Sequence, residues 1–275
     1  MGWWEVALVR KLTMYQWSIT MSSPRVLVLS LCTAILLASC GLLDSTDEGP
    51  NDLNGNTDLD LTDVGREWGV SIDFARLFPN GWKYDYKDSN IVTKRDNGIT
   101  TVSVNLDASF DLVHEFDTLL GTQDLPQAAK LEVVNWILDR YGATIDLSTP
   151  NRLKIRADVK VKVTDQGIQE FISSKNDLSK PFTVIKYSMN VGDSWSFTDS
   201  KGVTTRRTVT YHSTTDDYPV GWWDLKVYKT ESIVDGDPVL QKIVYVTNHK
   251  FGLVGIHLFT KTGKEIPLTI FPPTL

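Results

Sequence analysis

Residues 152–164, RLKIRADVKVKVT, alternate without a break. Leu153, Ile155, Ala157, Val159, Val161 and Val163 fall on one side, and Arg152, Lys154, Arg156, Asp158, Lys160 and Lys162 on the other. A period of two sustained over this length is a strand with one face buried and one face wet. A parallel strand, covered on both faces, would be apolar throughout, so the pattern demands an antiparallel sheet. It also demands something to cover the apolar face.

The same period dominates from Trp82 onward. Val102, Val104 and Leu106 share a face within Thr101–Asp107, and strand-like runs follow at 182–188, 194–198, 203–211, 223–234, 239–248, 251–260 and 265–271. Asn97-Gly98, Asp165-Gln166-Gly167, Ser200-Lys201-Gly202, Asp235-Gly236 and Thr262-Gly263 separate the runs with turn chemistry suited to tight hairpins. One helix is predicted over 124–141, with Asp124 as N-cap and Pro126 in the first turn. Its Ala128, Leu131, Val134, Ile137, Leu138 and Tyr141 are spaced three or four apart, and Gly142 ends it. Shorter helices are predicted at 109–120 and 66–78. The fold class expected is α+β, mainly β: an antiparallel β-meander sheet with one or two packed helices. One globular domain is expected over 66–275, with a boundary near 150 as the alternative.

The N-terminal region follows a different plan. Met21–Cys40, MSSPRVLVLSLCTAILLASC, has Arg25 and then an uncharged, largely apolar run from Val26 to Leu37. That run is too short for a bilayer-spanning helix, which takes about 20 residues, and it has the length of a signal-peptide h-region. It ends in Leu37-Ala38-Ser39-Cys40, which resembles the lipobox of bacterial lipoproteins. The resemblance implies a signal peptide over 21–39, cleavage before Cys40, and diacylglyceryl and acyl (palmitate-type) chains on that residue. Cys32 would leave with the signal. Residues 1–20 fit no signal-peptide plan and read as lying upstream of a true start at Met21; an unusually long n-region is the alternative. Gly41 stands where Asp, in the best-known Gram-negative sorting scheme, retains a lipoprotein at the inner membrane. By that resemblance the expected location is the cell envelope, at the outer membrane more than the inner. Tyr187-x-x-Asn190-Val191-Gly192-Asp193-Ser194-Trp195-Ser196-Phe197 and Phe251-Gly252-Leu253-Val254-Gly255 resemble phrases in β-rich Gram-negative lipoproteins without assigned activity.

Charge is uneven. Residues 41–65 hold seven acids and no Lys or Arg, so most of the net charge of −6 sits there and the remainder is close to neutral. Residues 40–65 therefore read as a lipidated acidic tether, extended by self-repulsion. Within it, Asp52, Asn54, Asn56, Asp58, Asp60 and Asp63 follow the ligand spacing of an EF-hand or dockerin calcium loop, since alternate side chains on a tightly wound loop present oxygens to one hard cation. Thr57 replaces the expected glycine, and Asp63 the expected glutamate. The other reading of this stretch is a solvated linker.

An acidic chain of this kind excludes nucleic acid as a partner. HExxH, GxSxG, P-loop and GxGxxG motifs are absent, and His114, His212, His249 and His257 form no metal-ligand spacing. Carboxylate pairs for glycoside hydrolysis stay open. Trp222-Trp223 straddles a strand start, which points the two rings to opposite faces and leaves at least one available to stack on a ligand such as a sugar. The basic face of 152–164 suits a polyanion, or is a solvated face balanced by neighbouring acids. The function expected is a membrane-anchored binding or scaffolding module, with a lipid bilayer reached through Cys40 and an envelope protein or glycan as partner. A carrier or chaperone for apolar ligands is the first alternative, and predicts an apolar cavity. An envelope glycan hydrolase is the second, and predicts a cleft with two carboxylates and an adjacent Trp.

Overall fold

The computed structural model describes residues 51–72, 86–109, 121–122, 124–146, 148–199 and 201–271. In chain order the strands and helix are β1 (Gly69–Ile72), β2 (Tyr86–Asp96), β3 (Ile99–Ser109), α1 (Gln127–Tyr141), β4 (Thr144–Asp146), β5 (Arg152–Thr164), β6 (Gly167–Glu170) and β7 (Phe182–Lys186). There follow β8 (Ser194–Thr198), β9 (Thr204–His212), β10 (Tyr218–Val220), β11 (Trp223–Leu225), β12 (Tyr228–Val234), β13 (Leu240–Asn248), β14 (Gly252–Thr260) and β15 (Glu265–Phe271). The fold is mainly β and its strand pairs are antiparallel.

The meander is divided between two sheets. The first runs β2-β3-β5-β6-β7, with β4 also on β5; the second runs β1-β15-β14-β13-β12-β9-β8. Register within the first sheet puts like beside like. Val102 opposes Val159, Leu106 opposes Ile155 and Ala108 opposes Leu153. In the second, Ile256 opposes Tyr245 and Leu268, and Val70 opposes Ile270. These two apolar faces cover each other. Asn97 and Gly98, at φ 50° and 76°, make the tight β2–β3 turn that the sequence predicts.

Along one side the sheets are clamped by side chains. β7 is an edge strand whose free carbonyls would template further pairing. Trp195 Nε1 and Arg207 Nη1 each donate to Thr183 O at 2.8 Å, and Arg207 Nη1 also reaches Phe182 O at 3.2 Å. Along the other side the backbone itself crosses. Gly65 N and Trp68 N donate to Val92 O and Asn90 O, each at 2.8 Å, and the chain then enters the second sheet as β1 beside β15.

At one end the interior is solid. Trp68, Leu61, Val92, Val163 and Ile270 form part of one buried cluster, and the Trp68 indole donates to Leu61 O at 3.1 Å. The turns at 97–98, 165–166 and 249–251 belong to this filled end. At the opposite end lie the turns at 172–175, 199–203 and 235–239, and α1 docks against the first two. Asp139 pairs with Lys175 at 2.5 Å and with Lys201, and Arg140 reaches Asp199 at 3.1 Å and Thr205 Oγ1 at 2.8 Å. The helix thus ties the β6–β7 connection of the first sheet to the β8–β9 turn of the second.

Several expectations are corrected. Residues 69–72 are strand, not the start of a helix over 66–78, because they pair with β15 as an edge strand and Val70 packs inward; residues 73–78 lie outside the described residues. So do 110–120 of the second short helix. α1 begins at Gln127, and Pro126, not Asp124, occupies the N-cap position. Gly142, at φ 58°, ends the helix as expected. The run 223–234 is two strands, β11 and β12. Residues 51–65 are not a free spacer: Leu53 and Leu61 are buried against the body, and Lys162 Nζ donates to Leu53 O at 2.5 Å. Among the described residues no helix is long and apolar enough to cross a membrane.

Candidate functional site

The inward residues of β5 do not behave as a filled core. Val163 is buried at 3% exposure, but Leu153, Ile155, Ala157, Val159 and Val161 above it are only half-buried. Val104 and Leu106 on β3, and Ile256, Leu258 and Leu268 across from them, are half-buried too. All of these except Ala157 line a cavity of about 750 Å³ between the sheets. This falls in the range of roughly 300–1,000 Å³ typical of ligand sites. Val184, Val239, Leu240, Ile243, Ile266 and Ile270 complete much of the wall, Trp68 is at the filled end, and Trp136 and Ile172 are at the α1 end.

Few polar side chains reach this wall, and they are occupied. Glu170 Oε1 accepts from Arg207 Nη2 at 2.8 Å and from Ser173 Oγ at 2.5 Å, while Oε2 accepts from Ser173 N at 2.9 Å. Asp237 Oδ1 accepts from Val239 N and Leu240 N at 2.8 and 2.7 Å. Asn90 Nδ2 donates to Trp68 O at 3.2 Å. The Tyr245 phenol is pushed up by burial, which keeps it neutral. Such a wall provides burial for hydrocarbon and little to orient a polar substrate. Each methylene moved into it from water gains about 0.8 kcal/mol.

Helix α1 is fixed beside the cavity electrostatically. Two lysine ammoniums, Lys175 and Lys201, hold the Asp139 carboxyl down at about 2. Arg140, nearly buried, lies 6.0 Å from the Trp136 ring centroid while its Nη atoms bond Asp199 and Thr205.

The residues singled out from sequence are dispersed. Asp52, Asn54, Asn56, Asp58, Asp60 and Asp63 lie on the packed stretch 51–65. Asp58 and Asp63 both face Arg95, at 2.9 and 3.4 Å, and Asn56 caps the backbone N–H of Asp58 at 2.9 Å. Among the described residues no group of three or more His, Cys, Asp or Glu is placed to hold a metal. Trp222 and Trp223 do not line the cavity and are both exposed, on the β10–β11 hairpin. On the basic face, Arg152 pairs with Asp107 at 2.7 Å and Lys162 bonds Leu53 O. His257 sits on the outer face of the second sheet between Tyr218 Oη (2.9 Å) and Glu265 Oε1 (2.7 Å). His212 stacks on Tyr228 with centroids 3.9 Å apart. Cys32, Cys40, Trp82 and His114 lie outside the described residues.

Sequence reasoning named no cavity residue as a site. The signal available was the length of the alternation: β5 offers more apolar positions than the solid end of the core uses. Comparison of the chain with family models, with curated proteins and with solved structures gives no match.

Proposed function

We propose that this chain is an envelope lipoprotein whose body carries an apolar ligand between its two sheets, the lipid on Cys40 keeping it at a membrane. The observation that carries the reading is the hydrocarbon-lined cavity of about 750 Å³. A scaffold has no need of such a hollow, whose empty lining forfeits dispersion contacts. The hydrolase alternative requires two available carboxylates beside a Trp, whereas Glu170 and Asp237 are both engaged in structural hydrogen bonds. The lipobox and the Gly41 position support placement at the outer membrane, reached by the two-signal anchoring that stable attachment requires.

The test is direct. Protein purified from membranes is examined by native mass spectrometry for a co-purifying lipid, and the stripped protein is titrated with a fluorescent fatty-acid analogue. Ile155→Trp, which intrudes on the cavity from the middle of β5, should weaken binding at least tenfold while far-UV circular dichroism stays unchanged. Unchanged affinity in that variant, or no binding in the parent, would refute the carrier. Incorporation of labelled palmitate, lost in Cys40→Ser, separately tests the anchor.

A further inference from the structure

Trp68 and Trp195 are buried and donate their indole N–H groups to backbone carbonyls, and Trp136 is half-buried at the cavity. Trp222 and Trp223 depart from this pattern, at 96% and 48% exposure. Their position is imposed. Beneath them Val220 and Leu225 are buried with Val227, Val246 and Val254, and Tyr218 is held to His257. Val220 pairs with Trp223 across a two-residue turn, so the tip projects from a short hairpin packed at its base. A ring with an apolar body and one N–H donor is suited to the boundary between hydrocarbon and headgroups.

The tip has a definite place. Gly221 abuts the Phe271 ring, and Phe271 pairs with Gly69 next to Trp68. That is the filled end. The first described residue, Asn51, lies partway along the β6–β7 pair, and the chain runs from there to this end. Asn51 accepts from Gln169 Nε2 at 2.5 Å and Thr183 N at 3.3 Å, and Asn56 N bonds Asp165 in the β5–β6 turn at 2.8 Å. Cys40 precedes Asn51 by eleven residues, a reach of at most about 40 Å. Helix α1 is at the opposite end.

We propose that the Trp222–Trp223 tip is a foothold in the bilayer interface, so that the body stands on its filled end and turns the α1 end of the cavity away from the membrane. This rests on the reading of Cys40 as the lipid-bearing residue, because the tether is what keeps the tip within reach. Asp216, Asp217 and Asp224 outweigh Lys226 and Lys229 around the hairpin, so attraction is by interfacial partition and not by charge.

The chain from Cys40 onward, carrying Cys40→Ser and no lipid, is mixed with phosphatidylcholine vesicles whose acyl chains are brominated, at millimolar lipid. Part of the tryptophan emission should be quenched, equally at low and high salt. A Trp222→Ser, Trp223→Ser double variant should lose at least half of that quenching while keeping its far-UV circular dichroism. Equal quenching in both proteins overturns the proposal, because it places the lipid in the cavity beside Trp136. No quenching in the parent overturns it as well. Quenching that needs anionic vesicles and disappears in salt assigns the contact to the basic face of β5 and overturns it too. An emission change with oligosaccharides and none with vesicles makes the tip a glycan site instead. None of these outcomes depends on acylation of Cys40, which the palmitate label tests by itself.

Discussion

Glu170→Gln removes the negative partner of a guanidinium that is sealed between the sheets. The Arg207 and Glu170 side chains are 1% and 8% exposed, and Nη2 and Oε1 are 2.8 Å apart. Breaking a buried pair on one side costs about 3–5 kcal/mol, since the remaining charge stays desolvated. Arg207 would keep its bonds to Thr183 O and Phe182 O and its contact with the Phe182 ring 3.8 Å away. The lower end of the range, about 3 kcal/mol, is therefore expected for Glu170→Gln. Arg207→Met leaves the Glu170 carboxylate without its cation and strips Phe182 O of its donor, while Thr183 O keeps its bond from Trp195; an orphaned acceptor adds about 1–3 kcal/mol. About 5 kcal/mol is expected there, a large part of the roughly 5–15 kcal/mol that holds an ordinary domain folded. The double variant leaves no bare charge, so it should fall at least 2 kcal/mol short of the sum of the single effects. Urea unfolding followed by tryptophan emission and far-UV circular dichroism, with coincidence of the two transitions as the two-state check, measures all four proteins. A Glu170→Gln cost below about 1 kcal/mol, or simple additivity, would show that the pair does not clamp the sheets.

Acid should loosen α1. Lys175 and Lys201 hold the Asp139 carboxyl down to about 2, below the ordinary carboxylate value of about 4, so the stability it contributes is present above about pH 4 and is lost as pH falls toward 2. Asp139→Asn should remove that part of the acid dependence, read as helix signal in far-UV circular dichroism. Gly167→Ala would place a Cβ 2.3 Å from Ile185 O and force β6 from β7, with an expected loss of about 1–3 kcal/mol in urea. Trp195→Phe keeps the ring but surrenders the bond to Thr183 O, and about 1 kcal/mol of stability with it. An unchanged urea midpoint in either variant would contradict the packing at that edge.

The alternation in 152–164 made β5 legible, with its register against β3 following from like faces meeting. Asn97-Gly98 announced its hairpin through backbone geometry. Residues 66–72 misled because three-to-four spacing and alternation coincide over so short a span, and only pairing with β15 decides between them. Residues 51–65 misled because composition averages over a stretch, whereas Leu53 and Leu61 act individually.

The period of a strand is set by its own stereochemistry, so the chain alone determined which positions share a face, where it turns, and that Cys40 ends a lipobox-like segment. What an apolar face meets is not written in its period. A packed core and a hollow call for the same residues on β5. The separation of the two sheets, the Arg207–Glu170 clamp that spans them and the outward projection of Trp222 arise from contacts distant in sequence, and these only the tertiary structure decided.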